Sequence, residues 1–408
     1  MSRCRFCDGH LEQSFANLGM SPLANSYLKL RDTHRMERFF PLHAFVCENC
    51  WLVQLDELES PERIFGDYSY FSSFSDSWLK HCQAYTEEMK KRFALSPASL
   101  VAEVASNDGY LLQYFHKSGI PVVGVEPAAN VAQFAIEKGI RTEIRFFGKD
   151  TARQLKAKYG PVDLIAANNV MAHVPDLKDF VAGFREWIKP QGVITVEFPH
   201  LMELVHNNQF DTIYHEHFSY FSFTVVRRVF QKAELEVFDV QRLQTHGGSL
   251  RVFATPVGSG VHPIQDSVPR LLEAEKSAGV ETTAFYSDFA EQVRATKRNL
   301  LSFLIQAKKE GKRVVGYGAP AKGNTLLNYC GIRSDFLDFT VDRSPHKQGM
   351  FLPGTHVPIE SPEKIFETQP DYVLILPWNL REEISEQMAG IRKWGGRFVV
   401  PIPKVEVF

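Results

Sequence analysis

Ser99-Leu100-Val101-Ala102-Glu103-Val104-Ala105, then Ser106-Asn107-Asp108-Gly109, then Tyr110-Leu111-Leu112-Gln113-Tyr114-Phe115, reads as strand, loop and helix. A near-continuous apolar run suits a strand buried on both faces, and glycine punctuates the turn into the helix. A second strand, Pro121-Val122-Val123-Gly124-Val125, ends at Glu126-Pro127. Together they form a βαβ unit with an acid at the tip of its second strand. Glu126 lies 17 positions beyond Gly109, close to the spacing at which a carboxylate takes the diol of a ribose.

A dinucleotide fold wants Gly-x-Gly-x-x-Gly, whereas the loop from Glu103 to Gly109 holds one glycine and opens on an acid. That acid would repel a phosphate and suit a cation. S-adenosylmethionine (SAM) carries an ammonium and a sulfonium and no phosphate, so the loop favours SAM over NAD. Further strands follow at Asp163–Ala167, ending in Asn168-Asn169, and at Val193–Phe198, ending in Pro199-His200. Ligands of open α/β sheets bind beyond the carboxyl ends of the strands. The expected cofactor residues are therefore Glu103, Ala105, Asn107, Gly109, Glu126, Pro127, Asn168 and Asn169, with His173 close by.

The N-terminus carries Cys4-Arg5-Phe6-Cys7 and Cys47-Glu48-Asn49-Cys50. Two knuckles of this spacing complete a tetrahedral zinc site, whereas a redox motif needs only one. Four thiolates leave no open position, so Cys4, Cys7, Cys47 and Cys50 predict a structural Zn2+ that folds a small module. Met1-Ser2-Arg3 contains no apolar run, which argues against a secretory signal and against disulfides. The other cysteines, Cys82 and Cys330, read as small buried hydrophobes.

Ile213-Tyr214-His215-Glu216-His217-Phe218-Ser219-Tyr220 gathers a phenol, two imidazoles and a carboxylate. Such a run suits proton abstraction, since imidazole titrates near neutrality and tyrosine can donate to a forming oxyanion. From about Ala284 to Lys309 an apolar stripe through Phe285, Phe289, Val293, Leu300 and Leu304 predicts one long helix. It leads to a second strand–glycine loop–helix, Arg313-Val314-Val315-Gly316-Tyr317-Gly318 followed by Ala319-Pro320-Ala321-Lys322-Gly323-Asn324. Glycines with Lys322 suit a diphosphate, and Asn324 is a companion candidate; the loop is no Walker motif.

A net formal charge of −2 offers no footprint for nucleic acid or an anionic membrane, and no apolar run is long enough to cross a bilayer. The expected partner is a small molecule and the expected compartment the cytoplasm, where free thiols hold zinc. The sequence is silent on oligomeric state. The expected class is α/β: a zinc-binding module over 1–60, a Rossmann-like SAM domain over 61–262, a helical linker over 263–310 and a second Rossmann-like domain over 311–408.

Over essentially its whole length the chain resembles the zinc-containing, SAM-dependent C-methyltransferases of nucleotide-linked 4-keto-deoxysugars. The likeness rests on the twin Cys-x2-Cys, the Ser106–Gly109 loop, the Tyr214–His217 segment and Gly316–Asn324. It implies a class I methyltransferase middle domain, a second Rossmann-like domain, and C3 methylation of a dTDP-4-keto-2,6-dideoxyhexose. It also implies Tyr68, His173, Tyr214, Glu216 and His217 as active-site residues. His217 would be the base, Glu216 would orient or hold charge, Tyr214 or His173 would donate to an enolate oxygen, and Tyr68 would close over the sugar. One departure is Ala105, where a glycine is usual. A 4-keto group acidifies C3 and C5 alike, so C5 is the alternative carbon. A NAD-dependent sugar epimerase or dehydrogenase is the rival activity, but Tyr317 and Lys322 lack the Tyr-x3-Lys spacing it needs.

Overall fold

The computed structural model describes residues 3–66 and 71–408. Three sheets organise it. The middle sheet has seven strands, in the order Leu235–Leu243, Ser249–Pro256, Ile188–Pro199, Val162–Asn168, Val101–Val104, Val122–Val125 and Thr142–Glu143. All pairings from Ile188–Pro199 to Thr142–Glu143 are parallel, and Ser249–Pro256 inserts antiparallel. The order reverses between Val101–Val104 and Val162–Asn168, which opens a crevice at their carboxyl ends.

Alternation along the strands decides which side chain meets which layer. Ala102, Val104, Ile165 and Ala167 pack into one core layer, while Val101, Leu164 and Ala166 pack into the other with Tyr85, Met89 and Phe115. Cys82 is buried in that second layer.

The C-terminal sheet runs Ile359–Glu360, Thr340–Val341, Val314–Tyr317, Tyr372–Ile375, Arg397–Val400 and Glu406–Val407, parallel except at its last strand. This is the doubly wound order of a second Rossmann-like domain. The long helix is interrupted: Thr283–Ser287 is followed by Phe289–Lys309, which buries Phe289, Val293, Leu300 and Leu304. The expected linker also contains a helix that belongs to the middle domain. Ser267–Ala278 packs Val268 and Leu271 into the middle core. Its buried Glu275 accepts hydrogen bonds from the backbone N–H groups of Phe223 (2.6 Å) and Thr224 (2.7 Å).

The N-terminal sheet joins Gln13–Ser21, Phe40–Val46 and Val53–Leu55 to a fourth strand from far along the chain, Ser219–Tyr220. Val53 pairs with Tyr220 and Gln54 with Ser219. One hydrophobic core therefore contains Phe15, Ala44 and Val53 of the module, Phe210 and Ile213 of the middle segment, and Leu300, Leu326 and Leu374 further on.

Candidate active site

A cleft of about 870 Å3 lies at the carboxyl ends of both Rossmann-like sheets and is walled by both domains, with Asn25 of the N-terminal module at one edge. On the middle-domain side it touches Ala105, Asn107, Glu126, Pro127, Asn168 and Asn169. Glu126 is held in place by the loop. Its two carboxylate oxygens each accept a backbone N–H, from Asn107 and from Ala128, both at 2.9 Å. Burial pushes its pKa up to about 7, against the pull of those two donors. Asn168 Nδ2 and Oδ1 and Asn169 Oδ1 are buried without a hydrogen-bond partner among the described residues. Each such atom costs about 1–3 kcal/mol unless a ligand meets it, so the strand tip is made for a polar guest.

The loop takes left-handed backbone at Ala105 (φ 58°) and Asn107 (φ 47°). A Cβ in that region is strained by about 1–2 kcal/mol. Ala105→Gly is therefore expected to raise unfolding stability by about 0.5–1 kcal/mol after the added flexibility of the unfolded chain is counted. A shift of the urea midpoint at constant slope measures it, and a lower midpoint would refute the strain.

Three residues expected at ligands stand away from the cleft. Glu103 shares the strand face of Val101, is fully buried, and has its carboxyl held well above the usual range, chiefly by burial. Tyr110, beside it, is the residue that reaches the cleft. Gly109 serves the turn: its φ is 78°, and a Cβ there would lie 2.5 Å from Ile140 Cδ1. Asn324 is buried and spends its amide on the Ala24 carbonyl at 2.6 Å, tying helix Ala321–Cys330 to the N-terminal module.

Tyr214, His217 and His173 line the same cleft. The rings of His173 and His217 are 4.7 Å apart, and those of Tyr214 and His217 are 4.0 Å apart. His217 Nδ1 lies 2.8 Å from the Thr212 carbonyl oxygen, and His173 Nδ1 lies 2.8 Å from that of Glu216. A carbonyl only accepts, so both imidazoles carry a proton on Nδ1, and in the neutral form each keeps its lone pair on Nε2. Burial lowers both: His173 to about 4, and His217 well below its ordinary value, with His173, His246 and Lys322 adding to the effect. Neutral His173 has no Nε2 proton, so of the two donors expected for an oxyanion only the Tyr214 hydroxyl qualifies.

The carboxylate of Glu216 does not orient an imidazole. It points away from the histidine pair to Asn25, whose Nδ2 donates to its two oxygens at 2.7 and 2.8 Å. Its pKa rises to about 7 through burial, opposed by Asn25 and Lys347. His215 also turns away, with Nε2 3.1 Å from the Pro41 carbonyl oxygen. Tyr68 lies outside the described residues.

The C-terminal wall mixes cations with acids: Asp342 lies 3.8 Å from Lys347, and Glu383 lies 3.8 Å from Arg343. Lys322 donates to Asn379 Oδ1 at 2.7 Å and sits 4.7 Å from the centre of the Trp378 ring. Burial lowers its pKa, and Asp211 opposes the shift. Arg343 and Lys347 line the same wall. Sequence reasoning passed over these two, Asn25 and His246. His246 lines the cleft at φ 55°, and burial holds its imidazole at about 4. The only signal for it was the glycine pair Gly247-Gly248 that follows.

At the N-terminus, the sulfurs of Cys4 and Cys50 are 3.5 Å apart and those of Cys7 and Cys47 3.4 Å, with all four inside 4.8 Å. Zinc–sulfur bonds of about 2.3 Å place tetrahedral sulfurs about 3.8 Å apart, so the four thiolates fit Zn2+.

Family models match the chain in three blocks: "Putative zinc binding domain" over residues 4–65, "Methyltransferase domain" over 79–240 and "C-methyltransferase C-terminal domain" over 244–403. The C-methyltransferase NovU of Streptomyces niveus is 37% identical over 410 residues, spanning 100% of this chain and 97% of its own. The chain belongs to this C-methyltransferase family. Solved structures with some likeness include the 1,6-didemethyltoxoflavin-N1-methyltransferase of Burkholderia thailandensis, 16% identical with a TM-score of 0.37, covering 50% of this chain and 95% of that one. Magnesium protoporphyrin IX methyltransferase of Synechocystis PCC 6803 is 15% identical with a TM-score of 0.35, covering 48% and 91%. As a C-methyltransferase with a class I fold, the protein takes SAM as methyl donor and zinc as its structural ion. The unmet polar atoms of Asn168 and Asn169, on the same cleft as Glu126, fit the former.

Proposed function

We propose that this C-methyltransferase acts on C3 of a nucleoside-diphosphate-linked 4-keto-6-deoxy or 2,6-dideoxy hexose, through an enolate formed by His217. The observation that carries the reading is the histidine pair: two imidazoles, each anchored through Nδ1, facing one cleft with Tyr214. A sugar carbon becomes nucleophilic only when an adjacent ketone acidifies its proton. His217 Nε2 takes that proton, and the electron pair moves onto the ketone oxygen, where the Tyr214 hydroxyl donates. Bound SAM would supply an electrophilic methyl group, its sulfonium becoming a neutral thioether. The carbon–methyl bond forms, the ketone returns, and the proton on His217 passes to solvent. Lys322, Arg343 and Lys347 suit the diphosphate, and Glu126 suits the ribose of the cofactor.

Among the described residues no helix is long and apolar enough to cross a membrane. We assign the enzyme to the cytoplasm, where a small sugar nucleotide and reduced thiolates coexist.

The test is incubation with dTDP-, CDP- and GDP-4-keto sugars and SAM, followed by mass spectrometry and NMR of the product. A methyl branch at C3 is expected; a branch at C5 would move the reaction to the other flank of the ketone, and no branched product would overturn the reading. The cofactor side has its own check. Glu126→Ala is expected to weaken SAM by about 1–3 kcal/mol, as for a lost charge-assisted hydrogen bond. Calorimetry measures it, and unchanged affinity would remove Glu126 from the ribose.

A further inference from the structure

Arg5 lies inside the first zinc knuckle, yet its side chain works elsewhere. Its Nη1 donates to the Pro175 carbonyl oxygen at 3.1 Å, its Nη2 donates to that of Leu55, and its guanidinium lies 5.4 Å from the centre of the Phe218 ring. Pro175 follows His173 by two positions, and Phe218 follows His217 directly. Phe218 in turn donates its N–H to the Ala172 carbonyl at 2.7 Å and accepts from Leu55 N at 3.0 Å. The two histidine-bearing segments and the module strand Val53–Leu55 therefore close on one guanidinium.

The knuckle end is tied just as directly. The backbone N–H of Arg5 donates to Gln54 Oε1 at 3.0 Å, and Gln54 Nε2 donates to Cys4 Sγ at 3.2 Å. Gln54 is itself paired with Ser219. Among the described residues no carboxylate lies within ion-pair distance of Arg5. Its fork is committed to two carbonyls and an aromatic face, an arrangement a lysine cannot copy.

We propose that Arg5 is a positioning residue that couples the zinc knuckle to the two site imidazoles, holding the segments of His173 and His217 at their working separation. This rests on the reading of those histidines as the proton-transfer pair. Zinc fixes Cys4 and Cys7, and the chain between them fixes where the guanidinium reaches.

The test uses zinc-loaded, full-length Arg5→Ala and Arg5→Lys, with dTDP-4-keto-6-deoxyglucose as the probe sugar. Metal analysis and SAM calorimetry report folding. Deuterium exchange of the sugar's α-proton reports proton transfer, and 15N spectra of the labelled histidines report tautomers without any sugar present. Arg5→Ala is expected to keep one zinc and to bind SAM within about three-fold, while kcat for exchange falls at least about ten-fold with KM little changed. The His173 and His217 signals should lose their pure Nδ1–H character, and added guanidinium ion should restore part of the rate. Arg5→Lys, with charge but no fork, should fall between wild type and Arg5→Ala; it carries the test if Arg5→Ala does not fold. Wild-type tautomers and exchange in both variants would overturn the coupling. So would a rate loss that appears only together with lost zinc or SAM binding and resists guanidinium. If His217→Asn leaves exchange intact, the base assignment fails instead, and the tautomer measurement still decides the role of Arg5.

Discussion

His217→Asn is expected to abolish both α-proton exchange and methyl transfer while SAM affinity stays within a few-fold. A positioned general base contributes about 10²–10⁴-fold, and asparagine fills a similar space with no basic nitrogen to offer. Exchange in deuterated water with S-adenosylhomocysteine separates this step from methyl transfer. Near-wild-type turnover would exclude His217 and move the role to His173, whose Nε2 is equally free of a proton. The pH profile carries a second signature. A base works in its deprotonated form, and the pKa of His217 is pushed well below 6.5 by burial and by the neighbouring His173, His246 and Lys322. Protonation of His217 should therefore take no rate away as pH falls from 7.5 to about 6. A fall in that interval would instead follow Glu126 or Glu216, both of which stand at about 7, and Glu216→Gln would flatten it only where Glu216 is the group responsible.

Removal of zinc is expected to be the largest single blow to stability. Structural zinc in small peptides contributes about 10–16 kcal/mol at neutral pH. Here part of that is met by packing, because Cys4, Cys47 and Cys50 also belong to the main hydrophobic core. Cys47→Ser should lose the metal and lower Tm by about 10 °C or more, since each kcal/mol is worth about 2–4 °C in a domain of this size. Metal analysis and thermal unfolding measure it together. A Cys47→Ser protein that keeps one zinc per chain would refute the four-thiolate site.

The strand–loop–helix at Val101–Lys117 and the cysteine knuckles were legible because each depends on neighbours in sequence. Buried parallel strands read as apolar runs, and thiolates for one zinc need fixed spacing. Glu103 misled because proximity to a strand tip says nothing of which face a side chain takes; a period of two put it beside Val101, under the sheet. Glu216 misled because its partner, Asn25, is 191 positions away. Asn324 misled for the same reason, since its amide closes on Ala24 across the chain. The break at Asp288 interrupts a stripe whose apolar spacing carries straight across it.

The strand Ser219–Tyr220 has a consequence for anyone building hybrid enzymes of this type. It completes the sheet of the first fifty-odd residues, although more than a hundred and fifty residues intervene. A graft that takes the N-terminal module from one parent and the middle domain from another cuts a single β-ladder between two ancestries. The unit to keep together is discontinuous: residues 3–55 with 172–175 and 213–220. Crossovers that keep that unit intact should yield active hybrids, and crossovers near residue 60 should yield folded proteins with misaligned imidazoles.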